Sequence, residues 1–197
     1  MTGLAAGEIR GLPHDANGAV VPVKLNIGCG TDIRPGYINI DSKPLPGVDI
    51  PHDVETMPLP FETGSVDEVL CLNVLEHVNL IPVVKELHRV LKPGGRLIAE
   101  VPHFSSGAMY MDPTHRNFFS TATFQFFTKD SPRPYYFDFA FERIECQVLH
   151  FPKRRLLPFN GMVERLVNRS AWFREFYEGS GLRSLIPAGY LTTVLRR

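Results

Sequence analysis

The sequence predicts an α/β fold: a doubly wound, mostly parallel sheet with helices on both faces. Three observations carry that prediction. Within the first 102 residues, short apolar segments alternate with turn and helix signals. The segment interiors are near-continuously apolar rather than alternating, as in strands covered on both faces. One of them, Val23-Lys24-Leu25-Asn26-Ile27, runs straight into Gly28-Cys29-Gly30, a turn that brings bare backbone to a sheet edge.

Taken in order, Val20 to Ile27 and Tyr37 to Asp41 are strand candidates, followed by a short element at Val48 to His52. Glu68 to Leu72 and Arg96 to Pro102 complete the set. Between these last two, Pro82 to Leu91 reads as a helix. Pro82 suits a first turn, Val84, Leu87, Val90 and Leu91 form an apolar stripe, and Lys92-Pro93-Gly94-Gly95 stops it. Only six residues, Thr31 to Gly36, separate Gly30 from the next strand. A parallel crossover with a full helix needs about a dozen residues or more. The first helix is therefore expected to shrink to a turn or two, or to give way to an irregular path.

Beyond Pro102 the character changes. His103 to Asp138 is loop-rich and aromatic, with a short helix expected over Thr121 to Phe127. Its aromatics are expected to form a small core under a lid rather than a base-stacking platform. Phe141 to Phe151 reads as a strand, and Asn160 to Tyr177 as one amphipathic helix capped by Asn160. Tyr190 to Leu195 reads as a final edge strand. Residues 1 to 19 read as a flexible leader. Residues 20 to 197 read as a single domain, with a cofactor-binding half (20 to 102) and a half of substrate-side loops and C-terminal elements (103 to 197).

Composition narrows the function classes. With 44% hydrophobic and 21% charged residues, the chain reads as a soluble globular protein. Net charge is zero but uneven: from Phe151 onward nine Lys and Arg stand against three Glu. A solvated surface is the simplest use of that excess, including the triplet Lys153-Arg154-Arg155. Arg116, Lys129 and Arg133 are the basic residues among the aromatics of His103 to Asp138 and make no basic stripe, so nucleic-acid binding is not expected. Cys29, Cys71 and Cys146 show no CxxC spacing, against a disulfide scaffold or structural zinc. No apolar run approaches 18 residues and the start lacks a signal pattern, so a cytoplasmic location without a membrane span is expected. Oligomeric state is not legible.

Gly28 and Gly30, with Asp41 eleven residues later, suit a nucleoside-containing ligand. A dinucleotide fingerprint needs a third glycine three residues after the second, and that position is Ile33. No GxxxxGK phosphate loop is present either. A ligand without phosphate, adenosine joined to an amino acid, fits better.

The ordered motifs resemble those of class I S-adenosylmethionine-dependent methyltransferases, in particular the small methyltransferase type 11-like group. Leu25-Asn26-Ile27-Gly28-Cys29-Gly30 is similar to the glycine-rich first motif, and Tyr37-Ile38-Asn39-Ile40-Asp41 to the second strand with its ribose-binding acid. Asp53, Pro58-Leu59-Pro60-Phe61 and Ser65-Val66-Asp67-Glu68-Val69 match the stretch flanking adenine. Asn73-Val74-Leu75-Glu76-His77-Val78 follows the fourth strand, and Glu86 to Gly95 matches the helix and turn before the fifth. The resemblance spans roughly residues 24 to 102. It implies a Rossmann-like methyltransferase sheet and S-adenosylmethionine as cofactor. Gly28, Cys29 and Gly30 would lie against its methionine part, Asp41 on the ribose, Asp53 and Val54 beside adenine, and Asn26 and Asn73 nearby. Asn26 departs from the Asp or Glu usual there, so the methionine ammonium would meet a neutral amide. The implied activity is methyl transfer to an oxygen or nitrogen of a small-molecule or polymer-attached acceptor. The alternative is a protein that keeps the fold only to bind or scaffold.

Methyl transfer demands alignment more than covalent help, with a base near pKa 7 where the nucleophile carries a proton. His115 is the leading candidate, in Met109-Tyr110-Met111-Asp112-Pro113-Thr114-His115-Arg116. Asp112 is expected to orient it and Arg116 to meet an anionic group. Glu76 and His77, after the fourth strand, are candidates to face the pocket or to cap the next helix, and His103 is a weaker alternative base. No metal site is expected, because no recognised ligand spacing occurs.

Overall fold

The structure, a computed structural model, describes residues 21 to 152 and 159 to 197. The leader 1 to 19, Val20 and the triplet Lys153-Arg154-Arg155 lie outside the described residues. The first strands are β1 (Lys24–Ile27), β2 (Ile38–Asp41), β3 (Ile50–Pro51) and β4 (Val66–Leu72). Helix α1 (Leu80–Val90) leads into β5 (Leu91–Pro102), then α2 (Ala108–Met111) and a 3₁₀ turn at Thr123–Phe127. Strand β6 (Arg143–His150), helices α3 (Asn160–Val167), α4 (Ala171–Gly179) and α5 (Leu182–Leu185), and β7 (Tyr190–Arg196) complete the chain.

The seven strands of the described residues form one sheet in the order β3-β2-β1-β4-β5-β7-β6. The first five are mutually parallel, and β7 pairs antiparallel with both β5 and β6. This is the doubly wound, mostly parallel plan, with its strand order reversing between β1 and β4. The expected final edge strand is instead interior. Leu191, Thr193 and Leu195 are fully buried on β7, and their register places them beside Val101, Ala99 and Leu97 of β5. β6 takes the edge.

The two sheet faces are covered unequally. On one, Leu25, Val69, Cys71, Leu97, Ala99 and Val101 are fully buried with Val83, Val84, Leu87 and Val90 of α1. Right-handed crossovers place the connections of β1–β2 and β2–β3 on the face opposite α1. The first of these is the irregular path, two turns without a helix, and the second is likewise a loop. That face is accordingly polar: Glu68 accepts from Tyr37 and Arg96 at 2.5 and 2.8 Å. Asn26 Nδ2 donates to the Asp32 carbonyl at 2.7 Å and to Asn39 Oδ1 at 3.0 Å.

Two further expectations change. The stretch from Asn160 to Tyr177 is two helices, because the Ser170 hydroxyl accepts the Phe173 N–H and starts a new one. Asn168 there turns its amide to both the N–H and C=O of Leu149 at the open edge of β6. Asn160 is no cap: its amide donates to the Pro152 carbonyl, and Phe159 takes the cap position. Phe119, Phe124, Phe127 and Phe141 form the small aromatic core. Tyr110 and Phe118 of the loop above remain exposed.

Candidate active site

The carboxyl ends of β1, β2, β3 and β4 open on a cleft of about 590 Å³, counted with its open mouth. Ile27, Gly28, Asp41, Ser42, His52, Asp53, Val54, Asn73, Val74, His77 and Val78 line it. It lies where the strand order reverses, the usual ligand position of open α/β sheets.

Gly28 has φ +64°, and a Cβ there would stand 2.4 Å from Val74 Cγ2. Dihedral and space both require glycine. The turn is held by Asp41, whose Oδ2 accepts the Gly30 N–H at 2.8 Å while Oδ1 accepts the Lys43 N–H at 2.9 Å. A carboxylate offers about four acceptor sites, so Asp41 keeps capacity for a vicinal diol. Asp53 Oδ1 caps the Glu55 N–H at 2.9 Å, and Val54 is buried beside it. Asn73 enters the cleft with φ +55°, a left-handed conformation that Asn adopts more readily than most residues. Cys29 and Gly30 complete the turn without lining the cleft. Asn26 is a brace on the opposite sheet face, its amide occupied by the β1–β2 link.

The second loop arrives by a clamp. Asn117 Nδ2 donates to the carbonyls of Leu75 and Val78 at 2.8 and 2.7 Å, and Arg116 N–H donates to the Glu76 carbonyl at 2.7 Å. This brings His115 against His77, ring centroids 4.6 Å apart and edge to face. The orienting partner of His115 is not Asp112, as expected, but the Met109 carbonyl, 3.0 Å from Nδ1. Asp112 instead accepts both the N–H and the hydroxyl of Thr114, at 2.8 and 2.6 Å. The Thr114 oxygen lies 2.8 Å from His77 Nδ1. Because the one hydroxyl proton points to Asp112, His77 Nδ1 must be the donor. Both imidazoles, when neutral, therefore carry their proton on Nδ1 and leave Nε2 free. Burial, then the neighbouring His115, holds His77 below the usual histidine range.

Arg116 faces Glu55 at 3.7 Å. His103 is fully buried, between Ser105 Oγ at 2.7 Å and Glu178 Oε1 at 3.0 Å, where it ties β5 to α4. Glu76, expected to face the pocket or cap the next helix, neither lines this cleft nor caps α1. It is fully buried, neither carboxylate oxygen has a hydrogen-bond partner among the described residues, and burial pushes its pKa up to about 7. The signal for that burial was a carboxylate inside the apolar run Val74-Leu75-Glu76.

Fold and cleft together define a class: the chain has the class I S-adenosylmethionine-dependent methyltransferase fold. Residues 20–99 match the family profile described as a methyltransferase domain. A S-adenosylmethionine-dependent methyltransferase from Archaeoglobus fulgidus is similar in structure, with TM-score 0.62 at 16% identity over 89% of this chain and 86% of that one. One from Mesorhizobium loti gives 0.55 at 14% identity over 90% and 92%. The [4+2]-cyclase SpnF gives 0.53 at 19% identity over 89% and 74%. An uncharacterized protein of Methanocaldococcus jannaschii is 51% identical over 43 residues, 22% of this chain and only 19% of its own length. Among the described residues no helix is long and apolar enough to cross a membrane.

Proposed function

We propose that the chain transfers a methyl group from S-adenosylmethionine to an oxygen or nitrogen of a small-molecule or polymer-attached acceptor. The observation that carries this is Asp41, a cleft-lining carboxylate with one bond to the glycine turn, one to the Lys43 N–H, and acceptor capacity left over. The residues present fit the cofactor: Gly28 leaves no side-chain wall, Asp41 suits the ribose hydroxyls, and Asp53 and Val54 suit the adenine. When bound, S-adenosylmethionine supplies an electrophilic methyl on a sulfonium that leaves as a neutral thioether. His77, lining the cleft with Nε2 free and its pKa lowered, is the neutral group placed to take a proton from the acceptor. The hydroxyl bond that Thr114 donates to Asp112, and the Nδ1–H bond that His77 donates to Thr114, fix the tautomer this requires. His115 packs against His77 and positions it. A protein that only binds the cofactor is the competing reading, and turnover separates the two.

Calorimetric titration tests the cofactor assignment. S-adenosylmethionine and its demethylated product are expected to bind, and NAD to fail because Ile33 replaces the third glycine. Asp41→Ala is expected to weaken both adenosyl ligands by about 10- to 100-fold, the loss of a charge-assisted bond of about 1.5–3 kcal/mol. Folded protein that binds neither adenosyl compound would sink the proposal.

A further inference from the structure

We propose that Glu76, His77 and His115 form a binding site for one divalent transition ion of the zinc class. The three residues each present a ligand atom, and these atoms lie within 4.8 Å of one another. Neither Glu76 oxygen makes a hydrogen bond, although Glu76 is fully buried. The carboxylate is thus near enough to the imidazoles to share an ion and yet shares no proton with them. Four-coordinate zinc with bonds of about 2.1 Å holds its ligand atoms about 3.4 Å apart. Closure by small side-chain rotations meets that spacing.

The surroundings prepare the donors. Met109 O and Thr114 Oγ1 hold the two Nδ1 atoms, so each ring offers the Nε2 lone pair, as a metal-bound histidine with its outer-shell partner does. Asp112 completes that outer shell through Thr114. Two imidazoles and one carboxylate suit zinc, cobalt, iron or manganese rather than calcium or magnesium. A buried carboxylate without any partner is otherwise costly, and paired with a cation it is not. The ligands come from two chain segments 38 residues apart, joined by the Asn117 clamp. This is why no ligand spacing was legible in the sequence.

Three protein ligands leave one position open in a tetrahedral shell, and His77 puts that position beside the cleft. Resting on the methyl-transfer reading above, the ion would bind a hydroxyl oxygen of the acceptor and lower its pKa, so that its proton leaves to solvent and the oxygen keeps lone pairs for the methyl. The ion would then take the place of His77 as the source of the reactive nucleophile.

The test uses metal-stripped full-length chain. Zn²⁺ is titrated by calorimetry and Co²⁺ by its visible absorption, with S-adenosylmethionine titrated separately on each variant. Wild type is expected to bind one equivalent of each metal and to give the intense visible bands of low-symmetry Co²⁺. Glu76→Gln and His115→Ala are expected to lose about 100-fold or more in affinity, and Thr114→Val about 10-fold. Glu76→Gln removes an unpartnered buried charge at constant volume, so it is expected to stay folded. S-adenosylmethionine binding by Glu76→Gln, whose side chain does not line the cleft, is expected to stay within about threefold of wild type. Folded wild type that takes up neither metal, or metal affinity unchanged in both Glu76→Gln and His115→Ala, overturns the site. Metal binding without S-adenosylmethionine binding would overturn the methyl-transfer reading and leave the ion site standing. The reverse result would remove only the ion.

Discussion

Gly28→Ala is expected to destabilise the chain by about 2–5 kcal/mol and to abolish measurable S-adenosylmethionine binding. Two separate costs combine. An alanine at φ +64° sits in the left-handed region, worth about 1–2 kcal/mol for an L-residue. Its Cβ also meets Val74 Cγ2 at 2.4 Å, and Val74 is buried in the core, so relief requires a backbone or rotamer shift of about 1–3 kcal/mol. Either shift displaces the turn from the Asp41 carboxylate that bonds Gly30. Gly30 is the internal control. Its φ is +49° but nothing lies within 4 Å of a Cβ built there, so Gly30→Ala should lose only the dihedral term. Urea unfolding of Gly28→Ala, Val74→Ala and the double variant separates the two costs. The double is expected to recover at least about 1 kcal/mol relative to additivity, since the two side chains are in contact. Strict additivity would show that the contact is not what excludes a side chain.

The parts of this fold legible in the sequence are those that local pattern determines. The apolar interiors of β1, β4 and β5 and the stripe on α1 each need only their own residues to be read. The short link Thr31 to Gly36 excluded a full helix by length alone but left a shortened helix and an irregular path both open, and the chain takes the second. Sheet order was not legible for β7, because pairing between β5 and β6 depends on partners about 40 to 100 residues away rather than on Tyr190 to Leu195 themselves. The break at Asn168-Arg169-Ser170 was hidden by an apolar periodicity that continues across it. In the cleft, Gly28, Asp41, Asp53 and Val54 were legible because turn chemistry and motif order are local. The proximity of Asp112 and His115 suggested a bond that the loop does not make. Thr114 intercepts the carboxylate, and the Met109 carbonyl takes the imidazole. Glu76 and Asn117 matter only once two loops meet, and no single segment contains that information.

Glu178 is expected to govern acid stability, since it holds α4 to the rest of the molecule. Its Oε1 accepts from His103 Nε2 at 3.0 Å and the Thr121 N–H at 2.8 Å, and Oε2 accepts the Thr121 hydroxyl at 2.8 Å. His103 and Thr121 are themselves buried. Glu178→Ala leaves a ring nitrogen, a backbone N–H and a hydroxyl without their partner, and is expected to cost about 3–5 kcal/mol, as removal of one member of a buried polar pair does. Burial alone would raise the pKa of this carboxyl, but the bonds from His103 and Thr121 outweigh it and hold the group below its ordinary range. The sign of the pH effect follows. A carboxyl with a depressed folded pKa contributes stability fully above its unfolded value, about 4.3 for Glu, and loses it as pH falls through the lower folded value. Glu178→Gln keeps an acceptor for Thr121 and His103 but cannot titrate. Between pH 5 and pH 3.5, its unfolding free energy in urea is therefore expected to fall less steeply than that of wild type. Parallel slopes would mean that other carboxylates carry the acid transition.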